Sequence, residues 1–251
     1  MAEGLPTELF STGAQGAFYL PEPENLYQNA AMTIPVTASG DPVGAMMDLS
    51  GNGNHATQTV SASRPTYQTD GILHWLQFDG VDDYLVTTQN IGISGADLRS
   101  VLTAVTVNTT DSIAVSWGVQ TTGKACHQRI VDQALKSQFW AVDLQTADGT
   151  VPTSSSNVLS NLFYGNPIGA LDSEGVGADA RINGVYKPWV SRSGGDVNTT
   201  DTELTIGSRS GGSINFTGGS IYGVIVRSGL PNTTDLNNAE SYLASLAGIT
   251  L

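Results

Sequence analysis

The sequence predicts an all-β fold, a sandwich of two antiparallel sheets with a short helix near the C-terminus. Short runs of alternating apolar and polar residues recur along the chain, and clusters of Gly, Asn, Asp and Pro separate them. No charge run, proline-rich linker or repeat divides the 251 residues. We therefore expect one domain over residues 16–251, preceded by an N-terminal arm over residues 1–15 that lacks apolar periodicity.

The first strong strand signal follows a long loop. Residues 36–65 are predicted to be loop with short extended pieces, because turn residues interrupt them repeatedly. Residues 72–78 alternate, which places Phe78 on one face of a strand and Trp75 on the other. Residues 84–88 are the expected hairpin partner, since only a short Asp-Gly turn segment separates the two runs.

The middle of the chain contains the clearest period of two. Residues 101–107 and 112–119 form one predicted pair of strands, and residues 139–144 alternate again. Asn183 and Gly184 form the strongest short hairpin turn. The residues expected in the core of the sandwich are Phe78, Ile113, Val115, Trp117, Trp140, Val142, Ile206 and Ile225.

The C-terminal part changes its period. Residues 221–226 are apolar on both faces, which predicts a central strand. After residue 232 the apolar positions recur at three and four, which indicates a short amphipathic helix. Thr233 or Thr234 can cap its start, and Gly248 can close its end.

Composition and charge exclude several functions. The formal net charge of −13 repels phosphate backbones and anionic lipid surfaces, so we expect no nucleic-acid partner. The single cysteine, Cys126, permits no intramolecular disulfide. No apolar run approaches the roughly 20 residues of a membrane span. The N-terminus lacks Lys, Arg and a long apolar run, so we expect no signal peptide and synthesis in a cytoplasm.

Two motifs support a specific family resemblance: the glycine-rich turn at residues 48–57, and the strand–turn–strand segment at residues 78–85. With residues 180–185, 204–207 and 218–226, they resemble the concanavalin A-like lectin/glucanase family, which includes the laminin-G-like jelly rolls. The first segment, from residue 16 to residue 31, is similar to the version found in bacteriophage virion proteins. The resemblance covers nearly everything after residue 15, and it implies that the sandwich is a concanavalin A-like jelly roll.

The family's glucanase branch works with two glutamates on one strand. Retaining glycosidases need two carboxyl groups roughly 5–5.5 Å apart. This chain has glutamates only at positions 3, 8, 22, 24, 174, 203 and 240. No two of these glutamates lie together in a predicted core strand, so we expect a protein that is not an enzyme.

Calcium is the cofactor that these turns could bind, because calcium takes six to eight oxygen ligands from Asp, Asn and backbone carbonyls. The alternative is that the same side chains only brace their own turns. The candidate ligands are Asp48, Asn52 and Asn54 in the first turn, and Asp79, Asp82 and Asp83 in the second.

A sugar site would combine a stacking aromatic with a few fixed polar groups. Trp75 is the first candidate, followed by Tyr186 and Trp189 beside the Asn183-Gly184 turn, with oxygens from turns such as that of Asn54. The alternative is that these aromatics fill a sandwich core.

The resemblance implies a non-enzymatic virion protein (a capsid decoration, head-fibre or tail-associated protein) that contacts other virion proteins and assembles as a homo-oligomer. The second hypothesis is a carbohydrate-binding adhesin that recognises a glycan of the host surface, with or without calcium.

Overall fold

The computed structural model describes residues 6–139, 143–147, 149–164, 178–192 and 197–251. Within these ranges the chain folds into two antiparallel sheets and one α-helix, which confirms the predicted all-β jelly-roll sandwich. No helix among the described residues is long and apolar enough to cross a membrane.

In the first half of the chain, the strands before residue 74 are short and the later ones are longer. In chain order they are β1 Gly16–Tyr19, β2 Leu26–Tyr27, β3 Ala45–Met46, β4 Ala56–Thr57, β5 Thr66–Thr69, β6 His74–Asp79, β7 Leu85–Asn90, β8 Arg99–Val107 and β9 Asp111–Gly118.

The second half supplies the remaining strands and the helix. They are β10 Ala125–Val131, β11 Ala134–Gln138, β12 Asp143–Thr146, β13 Ser156–Phe163, β14 Ala178–Ile182, β15 Val185–Lys187, β16 Trp189–Arg192, β17 Glu203–Ile206, β18 Gly218–Ser228 and α1 Thr233–Leu246.

The two sheets differ in strand order. The first, sheet A, runs β15-β14-β13-β8-β18-β6-β5, and β1 also pairs with β18. The second, sheet B, runs β16-β12-β11-β10-β9-β17-β7-β4-β3-β2. The long strand β18 therefore lies between two neighbours inside sheet A, as its apolar sequence on both faces predicted.

The core between the sheets contains four of the predicted residues. Phe78, Val115, Trp117 and Ile206 are all buried there. The indole nitrogen of Trp117 donates a hydrogen bond to the carbonyl of Ile93 at 3.2 Å. Trp140 and Val142, also predicted in this core, lie outside the described residues.

Two predicted core residues are buried on the opposite faces of their sheets. Ile225 packs beneath α1 on the outer face of sheet A. Ile113 pairs with Arg129 across a β-bulge that interrupts the alternation of β9, and it therefore lies on the outer face of sheet B. The expectation that both fill the space between the sheets is wrong, because alternation alone does not say which face is internal.

The predicted N-terminal arm is, from residue 6 on, part of the packed domain. Pro6–Phe10 form a single 3₁₀ turn. Leu9, Phe10 and Ala14 are buried in the same apolar cluster as α1. The arm prediction fails here because three apolar residues are too few to produce a periodic pattern, yet enough to cover the end of a helix.

Helix α1 lies on the outer face of sheet A. Its N-cap is Asn232 rather than Thr233 or Thr234, since the Asn232 carboxamide oxygen accepts a hydrogen bond from the Asp235 amide at 2.9 Å. The helix covers only part of this face, and the remainder carries the candidate site.

Candidate functional site

Strand β6 aligns three polar or aromatic residues on the outer face of sheet A. Leu76 and Phe78 are buried in the core between the sheets. Because successive side chains of a strand point to opposite faces, Trp75, Gln77 and Asp79 point outward. The face predicted for Trp75 is therefore the observed one.

Trp75 packs against an aromatic residue that the sequence did not single out. Its ring lies 5.9 Å, between centroids, from the ring of Tyr222 on β18, with an angle of 42° between the planes. Both side chains are half-buried. The indole is thus held in place by Tyr222, neither enclosed between the sheets nor fully open to solvent.

A row of polar side chains crosses five strands beside this aromatic pair. Register pairing places Thr66, Gln77, Ser220, Thr106 and Ser156 next to one another in that order. The hydroxyl of Ser220 donates to the carboxamide oxygen of Gln77 at 3.0 Å. At a strand spacing of about 4.8 Å the row is about 19 Å long. Such a row offers hydroxyl and amide groups along one direction.

An open groove of about 490 Å³ adjoins the row at the end of β6. Gly218 lets its walls approach, because a Cβ atom at this position would lie 2.6 Å from the methyl carbon of Thr109. Its lining residues are Ala62, Arg64, Thr66, Gln77, Phe78, Asp79, Asp83, Asn108, Thr109, Gly218 and Gly219.

The turn after β6 places three carboxylates beside the groove. Oδ1 of Asp79 accepts hydrogen bonds from the amides of Val81 at 2.8 Å and Asp82 at 3.2 Å. Oδ2 of Asp83 accepts from the Asp79 amide at 3.0 Å. Oδ2 of Asp82 accepts from the Ser63 hydroxyl at 2.8 Å. These bonds fix the turn and explain why its sequence is rich in Asp and Gly.

The same three carboxylates could hold a cation. One oxygen from each of Asp79, Asp82 and Asp83 can be chosen so that all lie within 4.8 Å of one another. Within the described part of the chain, the second oxygen of each carboxylate accepts no hydrogen bond. Burial, and next the charges of Asp79 and Asp82, raise the pKa of Asp83 to about 6. A divalent cation would relieve this repulsion, and it would find three of the six to eight oxygens that calcium requires.

The first turn uses its polar groups differently. The two carboxylate oxygens of Asp48 together accept four hydrogen bonds, from the amides of Phe18, Ser50 and Asn54 and from the Ser50 hydroxyl. Asp48 is buried, and no oxygen of its carboxylate is left for an ion. The polar side chains of this turn therefore brace the turn itself, which is the alternative to calcium binding given above.

Two asparagines complete this brace. The side-chain amides of Asn52 and Asn54 both donate to the carbonyl of Gly16 in β1, at 3.0 and 2.7 Å. Asn54 is only 2% exposed, and its side-chain oxygen accepts from Gln89 at 2.9 Å. Asn54 is therefore not available to a sugar, and Asp48 and Asn52 belong to the attachment of β1.

The other predicted aromatics lie far from Trp75. Tyr186 is 55% exposed on β15, at the opposite edge of sheet A, with four strands between β15 and β6. Trp189 belongs to β16 at an edge of sheet B, and its side chain is outside the described residues. The structure does not bring these aromatics together with Trp75 in one site.

Comparisons with known proteins agree with this architecture. No protein-family model and no curated protein matches the chain. Among solved structures, it is similar to domain 4 of AbnA, an extracellular arabinanase from Geobacillus stearothermophilus, in complex with arabinotriose (TM-score 0.56, 15% identity, covering 93% of this chain and 98% of that one). It is also similar to a GH54 α-L-arabinofuranosidase (TM-score 0.59, 12% identity, covering 96% of this chain and 65% of that one). A third structure, the botulinum neurotoxin serotype D binding domain, has a TM-score of 0.53 at 10% identity, covering 90% of this chain and about half, 51%, of that one. At these identities the likeness establishes a shared β-sandwich fold.

Proposed function

We propose that this domain is a non-enzymatic lectin-like module that binds a neutral glycan in the groove beside Asp79. The observation that carries the proposal is the alignment of Trp75, Gln77 and Asp79 on one outward face of β6, next to an open groove. Sugar sites combine an apolar ring with a few fixed polar groups, and this strand supplies both.

The charge of the groove favours a neutral ligand. The carboxylates of Asp79, Asp82 and Asp83 repel sugar acids. The guanidinium of Arg64 carries one positive charge against these three carboxylates, and its donors are already occupied by the carbonyls of Gln58 at 3.0 Å and of Gln28 and Thr59 at 3.2 Å. Hydroxyl-rich sugars can instead bond to amide and hydroxyl groups such as those of Asn108 and Thr109.

A cation at the Asp79 turn is part of this proposal. Calcium bound by Asp79, Asp82 and Asp83 would offset two of their three negative charges and could accept sugar hydroxyls as additional ligands. No other described group of acidic, His or Cys side chains meets the same distance requirement.

The similar structures support a glycan as the partner more than they support the other proteins of a virion. One of them holds arabinotriose, and another is an arabinofuranosidase. Virion display, a homo-oligomeric assembly and partner virion proteins stay predictions from the family resemblance. Synthesis in a cytoplasm stays a prediction from the composition of the N-terminus.

The proposal that the module does not catalyse hydrolysis rests on its carboxylates. Glu240 is buried beneath α1, where it accepts a hydrogen bond from the Ser160 hydroxyl at 2.7 Å and pairs with Arg181 at 3.1 Å. Asp79 and Asp83 each hold amides of their own turn. A glycosidase needs two carboxyl groups free to act on opposite sides of a glycosidic bond.

The test is calorimetric titration of the full chain with neutral oligosaccharides, beginning with arabinotriose, in calcium and in EDTA. Trp75→Ala should weaken binding about tenfold or more, since it removes the ring that would stack on the sugar. Tyr186→Ala is the matched control, because it removes an exposed aromatic at the far edge of the same sheet. Equal effects of both substitutions, or no binding to any neutral glycan, would contradict the proposal. Loss of binding in EDTA would show that the glycan requires a divalent cation, and the same loss in Asp82→Asn with calcium present would place that cation at the Asp79 turn.

A further inference from the structure

The row of polar side chains on the outer face of sheet A extends beyond the groove beside Asp79. Thr66 and Gln77 line the groove, whereas Thr106 and Ser156 continue the row across β8 and β13, outside the groove. None of the five residues of the row carries a charge. The groove therefore contains only one end of a longer, uncharged row.

An apolar wall borders the row on the side away from Asp79. Trp75 and Tyr222 occupy the next outward positions of β6 and β18, and their ring centroids lie 5.9 Å apart. The next outward positions of β8 and β13 are Ala104 and Val158, which are buried in the same apolar cluster as α1. The ring pair and the helix thus border the row from β6 to β13.

The hydroxyl groups near the ends of the row retain hydrogen-bonding capacity. The Thr106 hydroxyl lies 3.1 Å from that of Ser156 and 3.5 Å from that of Tyr222. Three hydroxyl hydrogens serve these two contacts, so at least one hydrogen and several lone pairs remain for a ligand. At the other end, the Thr66 hydroxyl accepts from the Gln68 amide at 3.3 Å and keeps its own hydrogen. All four hydroxyl groups belong to partly exposed residues.

The centre of the row is fixed by its own hydrogen bonds. The Ser220 hydroxyl donates to the side-chain oxygen of Gln77 at 3.0 Å. The side-chain amide of Gln77 donates to the carbonyls of Phe78 at 3.2 Å and Gly219 at 2.9 Å. Because these bonds use the donors of both side chains, Gln77 and Ser220 offer a ligand only acceptors, held in fixed positions between the hydroxyl groups.

Both ends of the row are open to solvent. Residues 153–155, which precede Ser156, are exposed. Ala62, which lines the groove together with Thr66, is exposed as well. A chain that lies on the row can therefore continue past the protein in both directions.

We propose that the row binds an internal stretch of a linear neutral glycan, with successive sugar units over successive strands. This inference rests on the proposed function and specifies its ligand, an unbranched chain rather than a single terminal sugar. A unit of an extended glycan is similar in length to the spacing of two strands, so the row of five strands accommodates about four units. Trp75 would contact the unit over β6, and the hydroxyls of Thr106 and Ser156 would bind the units over β8 and β13.

The test is calorimetric titration of the full chain with linear arabino-oligosaccharides and xylo-oligosaccharides of one to six units. Affinity should rise about threefold or more with each added unit, because each unit gains one net hydrogen bond or more, and it should level off after about four units. A hexasaccharide with bulky caps on both end units should bind as tightly as the uncapped one, since only internal units lie on the row.

A variant at the β13 end separates the row from the groove. Ser156→Arg places a long side chain across the row, and it should reduce the affinity for the tetrasaccharide about tenfold, to that for the disaccharide. Tyr186→Arg is the matched control, because it introduces the same side chain at an exposed position on the far edge of the same sheet. The control should leave every affinity unchanged.

Failure of this inference can be distinguished from failure of the proposed function. Equal affinity for one and four units, or loss of binding on capping, would show that the groove alone binds the end of a glycan; the row would then be excluded and the proposed function would stand. Unchanged tetrasaccharide affinity in a folded Ser156→Arg variant would also exclude the row. No binding at any length would contradict both proposals. The length series requires no variant, so the test stays decisive even if Ser156→Arg does not fold.

Discussion

Replacement of Trp117 by alanine should remove more stability than any other single aromatic truncation in the described core. Trp117 is completely buried between the sheets. Its indole nitrogen bonds to the carbonyl of Ile93, and the buried guanidinium of Arg99 lies 5.8 Å from its ring centroid. The truncation would leave a cavity, an unpaired carbonyl and an arginine with one aromatic neighbour fewer.

The magnitude follows from these losses. A large-to-small change of a buried tryptophan costs about 3–5 kcal/mol. The unpaired carbonyl of Ile93 adds about 1 kcal/mol, which gives a total of about 4–6 kcal/mol. In a domain of this size each kcal/mol lowers Tm by about 2–4 °C. We therefore expect Tm to fall by about 8–24 °C.

Thermal unfolding followed by circular dichroism measures this shift. Val119→Ala is the matched control, because Val119 continues the alternation of β9 but is 45% exposed. Its cost should stay within about 0.5 kcal/mol. A Tm of Trp117→Ala within about 2 °C of the parent protein would refute the placement of Trp117 in the core.

Two further predictions concern the N-terminal segment and the Asp79 turn. Deletion of residues 1–15 should lower Tm clearly, because it exposes the apolar surface of α1 that Leu9 and Phe10 cover; an unchanged melting curve would show that the segment is a free arm after all. In the folded state the pKa of Asp83 is raised to about 6, so the folded state binds more protons than the unfolded state between about pH 4 and pH 6. The stability contributed by Asp83 is therefore present at low pH and lost as pH rises through 6, and Asp83→Asn should abolish this loss in denaturant titrations from pH 4 to pH 7. A parent and a variant with parallel pH profiles would contradict the raised pKa. Calcium, if bound, should reduce the loss in the parent protein alone.

Strands could be predicted wherever the period of two is unbroken. Which face of each strand points into the core could not be predicted. Val115 and Trp117 follow the alternation into the core, as predicted. Ile113 does not, because the bulge opposite Gln128 and Arg129 changes the phase of β9. Ile225 alternates correctly with its neighbours, but the covering helix makes the outer face of β18 as apolar as the inner one.

Only part of the candidate site could be predicted. The residues of a turn are neighbours in the sequence, whereas the residues that bind a ligand come from distant parts of the chain. Asp48 and Asp79 both begin glycine-containing turns. Both oxygens of Asp48 accept hydrogen bonds, from the Phe18 amide of β1 and from its own turn, whereas Asp79 keeps one oxygen available. Tyr222 becomes a neighbour of Trp75 only through the pairing of β18 with β6, about 150 residues apart in the chain. The periodicity of the sequence does not indicate that these two strands pair.

The most direct test of the central claim is mapping of backbone amide signals by NMR while a neutral oligosaccharide such as arabinotriose is added. If the groove beside Asp79 binds glycan, the amides of Gln77, Asn108 and Gly219 should shift saturably with one dissociation constant. Amides of β15 near Tyr186 should stay unchanged. Shifts concentrated at β15, or no saturable shift at any position with any neutral glycan, would contradict the account.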